Sequence, residues 1–329
     1  MQHAISRRGV LALPLIPGLI PSTNAFGQTG WKPIRSVRIV VPQAPGGTTD
    51  IMARLLSAHL QEVWGQSVVV DNKPGAGGAI GTLDVIRSAA DGHTILIGNV
   101  GSQAIAYTLQ KTMDYGADDL IPVSNMISGP NALVINPGIP AKTVPEFVDY
   151  LRKNPERTNF GTPGVGQSPH IAGVWFNQLT GTKSSAVHYR GAGAAAADLM
   201  SGQIQFMFDA LVNAIQPSAA GLLRMLAVTS AERFPSLPDV PTIRETMPEL
   251  AKMVSASWVG VFLAKGTPAP IVEALNAEMK TVLGKSDVPE RFQKMGGVPA
   301  YSPVETYGAF VKAETAKWGE VIRANGLQV

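Results

Sequence analysis

The residues best suited to chemistry in this chain are glycines and hydroxyl side chains gathered in short turns. The clearest run is Pro42-Gln43-Ala44-Pro45-Gly46-Gly47-Thr48-Thr49-Asp50, which follows a β-branched segment at 36–41 and precedes an amphipathic one at 51–64. A strand, a tight turn and a helix start leave first-turn backbone N–H groups without partners, at the end of the helix that carries about half a positive charge. An anion binds there without help from a basic side chain. Pro45, Gly46, Gly47 and Thr48 are therefore candidate contacts. Asp50 joins them as part of the same turn, although a carboxylate is better suited to capping helix amides than to meeting an anion.

The layout recurs along the chain. It returns at 72–81 with Gly77 and Gly78, at 98–102 with Ser102, and at 161–170 with Thr162, Gly164, Gly166, Ser168 and His170. Tyr189, Arg190 and Gly191 follow another strand-like run, and Asp209 ends the one at 205–208. In parallel α/β sheets ligands bind beyond the carboxyl ends of the strands. Several such turns facing one cleft would line it with main-chain donors and hydroxyls, for which a carboxylate is the natural guest. For any one turn, glycine that merely permits a tight connection explains the sequence equally well.

Other chemistries find less support. The stretch 161–168 imitates a phosphate-binding loop but carries Gln167 where the lysine belongs, and Gly191-Ala192-Gly193 after a strand imitates a dinucleotide fingerprint. Ser168 and His170 suggest an exported hydrolase, yet the strained G-x-S-x-G turn is missing and their spacing does not make a triad. The five histidines show no H-x-x-x-H or H-E-x-x-H pairing, and the chain has no cysteine, so no metal or cofactor is expected.

Alternating β-branched and amphipathic runs position these turns. Strands are expected at 36–41, 67–70, 94–97, 132–135, 159–160, 186–189, 205–208 and 225–228, with helices at 51–64, 78–90, 144–153, 170–179, 194–201, 271–283 and 304–325. This order predicts βαβ units in largely parallel sheets. The 329 residues, 45 % apolar and 16 % charged, suit two α/β lobes with a cleft between them. Lobe 1 is read as 28–128 with 255–329, lobe 2 as 129–254, the chain crossing near Ser128–Pro130 and Ser255–Gly260. Residues 1–27 have the pattern of an export signal: Arg7-Arg8, an apolar stretch too short and too proline-rich to span a bilayer, then Ala25 and Gly27 before Gln28. Its removal leaves a formal charge of +1, which is no footprint for nucleic acid. A soluble, exported monomer is the expectation, and exclusion from the cytoplasm argues against nucleotide chemistry.

These residues also carry a resemblance. The segments 37–42 and 45–50, 69–78, 91–94, 160–170, 189–191, 198–202, 207–209 and 238–242 together resemble the receptors of tripartite tricarboxylate transporters, the Bug-type extracytoplasmic receptors, over nearly the whole chain after residue 27. The resemblance implies a type II periplasmic binding protein fold, capture of a small organic acid, and delivery to a two-subunit membrane permease. It further implies that the turns at 42–50 and 161–170 hold the carboxylate through backbone groups and water. Arg190 stands where such receptors usually have lysine, and 194–197 lacks a proline often found there. A sensory receptor presenting the same ligand to a membrane signalling protein fits the sequence as well as an uptake receptor does.

Overall fold

The computed structural model describes residues 30–189 and 191–328. The export-like segment 1–27 and Arg190 lie outside the described residues. The chain opens with β1 (Val37–Val41), α1 (Thr48–Trp64), β2 (Val68–Asn72), α2 (Ala79–Ile86) and β3 (Thr94–Asn99). β1 is aliphatic apart from the half-buried Arg38 and β3 is aliphatic at 95–97, and both are largely buried, as strands covered by helices on either side must be. α1 buries Met52, Leu56, Leu60 and Trp64 and stops at Gly65, whose φ of 65° lets its N–H reach back to Gln61. A wide π turn at Gly101–Ile105 then runs into α3 (Ala106–Leu109).

β4 (Leu120–Ile135) is the longest strand, at 16 residues. It leads to α4 (Val144–Lys153), β5 (Asn159–Thr162), α5 (Ser168–Thr180), β6 (Ser185–His188), α6 (Ala192–Ser201), β7 (Phe206–Ala210), α7 (Leu211–Ala219) and β8 (Arg224–Val228). The return runs through β9 (Ala256–Ala264), α8 (Ala269–Leu283), α9 (Val288–Lys294), β10 (Val298–Pro299) and α10 (Val304–Ala324). The strands order as β2-β1-β3-β9-β4-β7-β5-β6, with β8 and β10 also on β4.

Two features correct the sequence expectation. The sheets are mixed: β1 pairs in parallel with β2 and β3, and β5 with β6 and β7, but β3–β9, β9–β4 and β4–β7 are all antiparallel. Moreover, the expected short strand at 132–135 is only the last part of β4. Pro122, Gly129 and Pro130 break the apolar alternation in the rest of it, and the register slips at Pro122/Ser124 and Asn125/Ile127. β9 was not anticipated as a strand at all.

β4 and β9 connect the two groups of strands. As far as Pro130, β4 pairs with β9; from Asn131 onward it pairs with β7. The change of partner is knitted by Thr229, whose N–H donates to the Asn131 carbonyl (2.8 Å) and whose carbonyl accepts from Ser255 N–H (2.9 Å). One core lies between β1, β3 and β9 and helices α1 and α8. A second runs under α4, α5 and α10.

Candidate ligand-binding site

The β1–α1 turn is held by Asp50. This buried carboxylate accepts from Gly46 N–H (3.0 Å), from Arg54 Nε (3.0 Å) and Nη2 (3.1 Å), and from Asn72 Nδ2 (3.1 Å). Burial alone would raise its pKa, but these donors hold it below the ordinary carboxylate value. Asp50 thus shapes the turn and leaves the amides of Thr48, Thr49 and Asp50 without an acceptor among the described residues. Gly47 is extended (φ −80°, ψ 170°) and exposed, and nothing lies within 4 Å of where a Cβ would stand. Lys73, the basic side chain of the turn that follows β2, is paired with Asp84 (2.9 Å), which Arg38 shares (2.5 Å).

Asn99, at the end of β3, ties this turn to the next. Its Nδ2 donates to Thr49 Oγ1 (3.3 Å), and its Oδ1 accepts from Ser102 N–H (3.1 Å). Ser102 in turn backs the 75–78 turn: Gly78 has φ 101°, and a Cβ there would stand 2.6 Å from Ser102 Cβ.

The β5–α5 turn is built differently. Thr162 Oγ1 donates to the Gly164 carbonyl (2.9 Å) and accepts from Gly164 N–H (3.0 Å). Gly166 N–H donates to His170 Nδ1 (3.2 Å). A backbone N–H only donates, so Nδ1 is the acceptor and the His170 proton sits on Nε2. The ring packs edge-on against His188 at 4.8 Å, and His188 Nδ1 lies 3.4 Å from Thr162 Oγ1. Ser168 Oγ is 3.5 Å from Asn131 Nδ2. His170 therefore braces the turn, and no contact among the described residues pairs it with Ser168 as a base.

A cavity of about 420 Å³ lies between the two sets of turns, within the range of small-ligand pockets. Gly77, Gly101 and Leu109 face Val165, Gly166 and Gln167 across it. At Gly101 a Cβ would stand 3.2 Å from Asn99 Oδ1 and 3.5 Å from Gln167 Oε1. The start of α1 and the start of α5 are thus one side chain away from the same wall. Gly166, at φ 76°, has its missing Cβ aimed at the Leu109 side chain.

Of the residues singled out from sequence, Gly77 and Gly166 line this cavity, and Gly78, Ser102, Thr162, Gly164, Ser168 and His170 stand in the turns that shape it. Thr48 lines a separate cavity of about 30 Å³ beside Pro130 and Ala210. Pro45, Gly46 and Gly47 are exposed on the α1 turn. Tyr189 donates to Asp198 (2.7 Å), Gly191 begins α6, and Asp209 accepts from Asn213 (3.0 Å). No hydrogen bond among the described residues joins these last three to the turns at 45–50 or 77–78. Asn99, Asn131, Leu109 and Gln110 were not foreseen. The turn at 98–102 points at Asn99; nothing in the sequence points at the others, which fall outside every strand and helix expected from it.

Two buried groups give a pH signature. Burial, helped by His188, lowers the pKa of His170 to about 4, and burial raises that of Asp209 to about 6. For His170, stability is complete above the ordinary value of 6.5 and is lost as pH falls towards 4. For Asp209, it is complete below 3.8 and is lost as pH rises through 6. The slopes oppose each other in the shared window. Asp209→Asn leaves the His170 slope alone, so stability should fall by about 3 kcal/mol more than in the parent between about pH 6.5 and pH 4. Urea midpoints across that range check this, and a parent-like slope would contradict it.

A family model for the tripartite tricarboxylate transporter family receptor matches residues 52–327. The chain belongs to this receptor family. Among solved structures, Rpa4515 of R. palustris, solved with adipate, is 34 % identical, with a TM-score of 0.80, covering 90 % of this chain and 99 % of that one. MatC of Rhodopseudomonas palustris, solved with malate, is 32 % identical, with a TM-score of 0.76, covering 88 % and 99 %. Protein BugT of Bordetella pertussis is 32 % identical over 300 residues, 90 % of this chain and 91 % of its own. The receptor fold is the two-lobed α/β fold of periplasmic binding proteins. Among the described residues, no helix is long and apolar enough to cross a membrane, and no three His, Asp or Glu side chains gather to hold a metal ion.

Proposed function

We propose that this receptor captures a small organic carboxylate between its lobes outside the cytoplasm and delivers it to a two-subunit membrane permease. The carrying observation is a cavity with neutral walls that has the start of α5 at Gln167 on its lining, with the start of α1 joined to the neighbouring 98–102 turn through the Asn99–Thr49 hydrogen bond. Adipate and malate in the two related structures support the ligand class. The carboxylate accepts from amides of the α1 and α5 turns, with Thr48, Ser102 and Ser168 as hydroxyl partners. Tyr189, Arg190, Gly191 and Asp209 form the far side in this reading, and export removes residues 1–27.

Closure is a hinge motion of 28–128 with 255–329 against 129–254. The partner change at Pro130/Asn131 and the return at Ser255 support those boundaries. The ligand drives closure only through contacts that are better in the closed form. The closed monomer is then the form that the permease reads. No catalytic step is required.

A thermal-shift screen of mono-, di- and tricarboxylates tests the reading. A true ligand at 100 times its Kd adds about 2.7 kcal/mol of stability. Shifts with sugars or amines and none with any acid would remove the ligand class.

A further inference from the structure

Resting on that carboxylate reading, we propose that Gln167 is a specificity-determining residue, and that the ligand carries a hydrogen-bond donor, a hydroxyl or an ammonium, on the carbon beside its carboxylate. The cavity wall at Gly101 is built of oxygens. A Cβ on Gly101 would stand 3.2 Å from Asn99 Oδ1, 3.5 Å from Gln167 Oε1 and 3.7 Å from the Gly166 carbonyl. Gly101, Gly166 and Gln167 all line the cavity. Three acceptors, one from the end of β3 and two from the α5 turn, thus surround one point on its wall.

Their directions are set by the fold. The Gly166 oxygen is main chain. The Asn99 amide donates through Nδ2 to Thr49 Oγ1 and accepts at Oδ1 from Ser102 N–H, so turning it over would set two N–H groups against each other. Gln167 holds the cap position of α5 with an extended backbone (φ −74°, ψ 154°), and its side chain makes no bond to the helix behind it. In the look-alike phosphate loop a lysine would stand here and could only donate; glutamine presents a carbonyl. A carboxylate oxygen against these three atoms would meet lone pairs, whereas an O–H or N–H meets acceptors. The acceptors also adjoin both helix starts. Asn99 bonds the second residue of α1, and Gln167 precedes the first residue of α5. A donor that reaches them therefore sits beside the carboxylate. An acid without that donor leaves the oxygens unpaired, which is how polar sites reject analogues.

Calorimetric titration of the full chain with matched acids tests this: lactate with propionate, malate with succinate, and mandelate with phenylacetate, with aspartate as the ammonium counterpart of malate. In whichever set binds, the acid with the donor should bind about tenfold tighter or more. Malate against aspartate distinguishes hydroxyl from ammonium. In Gln167→Leu, which removes the amide at similar size, that preference should shrink about fivefold or more. Propionate, succinate or phenylacetate binding as tightly as its substituted partners would overturn the proposal and leave the carboxylate receptor intact. So would a preference that Gln167→Leu leaves in place. If none of these acids binds, the carboxylate reading itself fails, and the proposal fails with it.

Discussion

Gly47→Val is expected to weaken carboxylate binding at least a hundredfold while leaving the melting temperature within about 2 °C of the parent. Gly47 occupies the position just before the first turn of α1, and a side chain there lies over the amides of the second and third helical residues, Thr49 and Asp50. In the parent no acceptor among the described residues meets them. Valine would put two methyl groups where carboxylate oxygens accept. The protein itself has no objection: the backbone is already in the extended region open to any residue, no atom lies within 4 Å of the new Cβ, and Ile51 N–H still reaches the Gly47 carbonyl (3.0 Å). Gly47→Asp sharpens the test. Its own carboxylate should occupy those amides, raising helix stability by a few tenths to about 1 kcal/mol while competing the ligand out. Calorimetry and a melting curve on the two variants suffice. Unchanged affinity in both would remove the α1 turn from the site.

The largest effect on stability is expected at Glu314. This carboxylate, on α10, accepts from the indole N–H of Trp258 on β9 (3.1 Å) and from that of Trp318 on α10 (3.0 Å), and it also pairs with Lys317. Both indoles are fully buried, and Trp318 packs edge-on against Trp175 of α5 at 5.9 Å. One side chain therefore ties the C-terminal helix to β9 and holds the Trp318 indole that packs on α5. Glu314→Ala strands two buried donors at about 1–3 kcal/mol each and opens a void beside them, so a loss of about 3–5 kcal/mol is expected. Glu314→Gln keeps a carbonyl acceptor and should cost no more than about 1–2 kcal/mol. Chemical denaturation gives both numbers. Equal losses would show that the carboxylate fills space and the hydrogen bonds count for little.

The elements that sequence periodicity reveals are those whose faces differ. α1, α4, α8 and α10 show an apolar stripe, and β1, β2 and β3 each hold an unbroken apolar run, at 39–41, 68–70 and 95–97, so these stand out. β4 and β9 did not. They lie where the sheet passes from one strand group to the other, and prolines, glycines and register slips remove the alternation that marks a strand. Reading parallel units from βα alternation was sound locally, at β1–β2 and β5–β6, and failed at the centre, where strands cross rather than follow one another. Within the site, glycine-rich turns were legible because a turn before a helix leaves a chemical signature in its residue types. Leu109 and Gln110 carry none: they become cavity wall only through the approach of Gly166, a contact between residues more than fifty positions apart. Asp50 shows the converse. Its residue type and place in the turn were plain, and its partners Arg54 and Asn72 gave it the role of holding that turn.

The claim beneath all of this is that main-chain amides, not cationic side chains, grip the ligand. Amide proton shifts of an isotope-labelled sample titrated with malate and with adipate test it most directly. The account predicts large downfield movements of the Thr48, Thr49 and Ser168 amides with whichever acid binds, saturating together at its Kd. Saturable binding that leaves those three resonances in place while arginine or lysine side-chain signals move would contradict it.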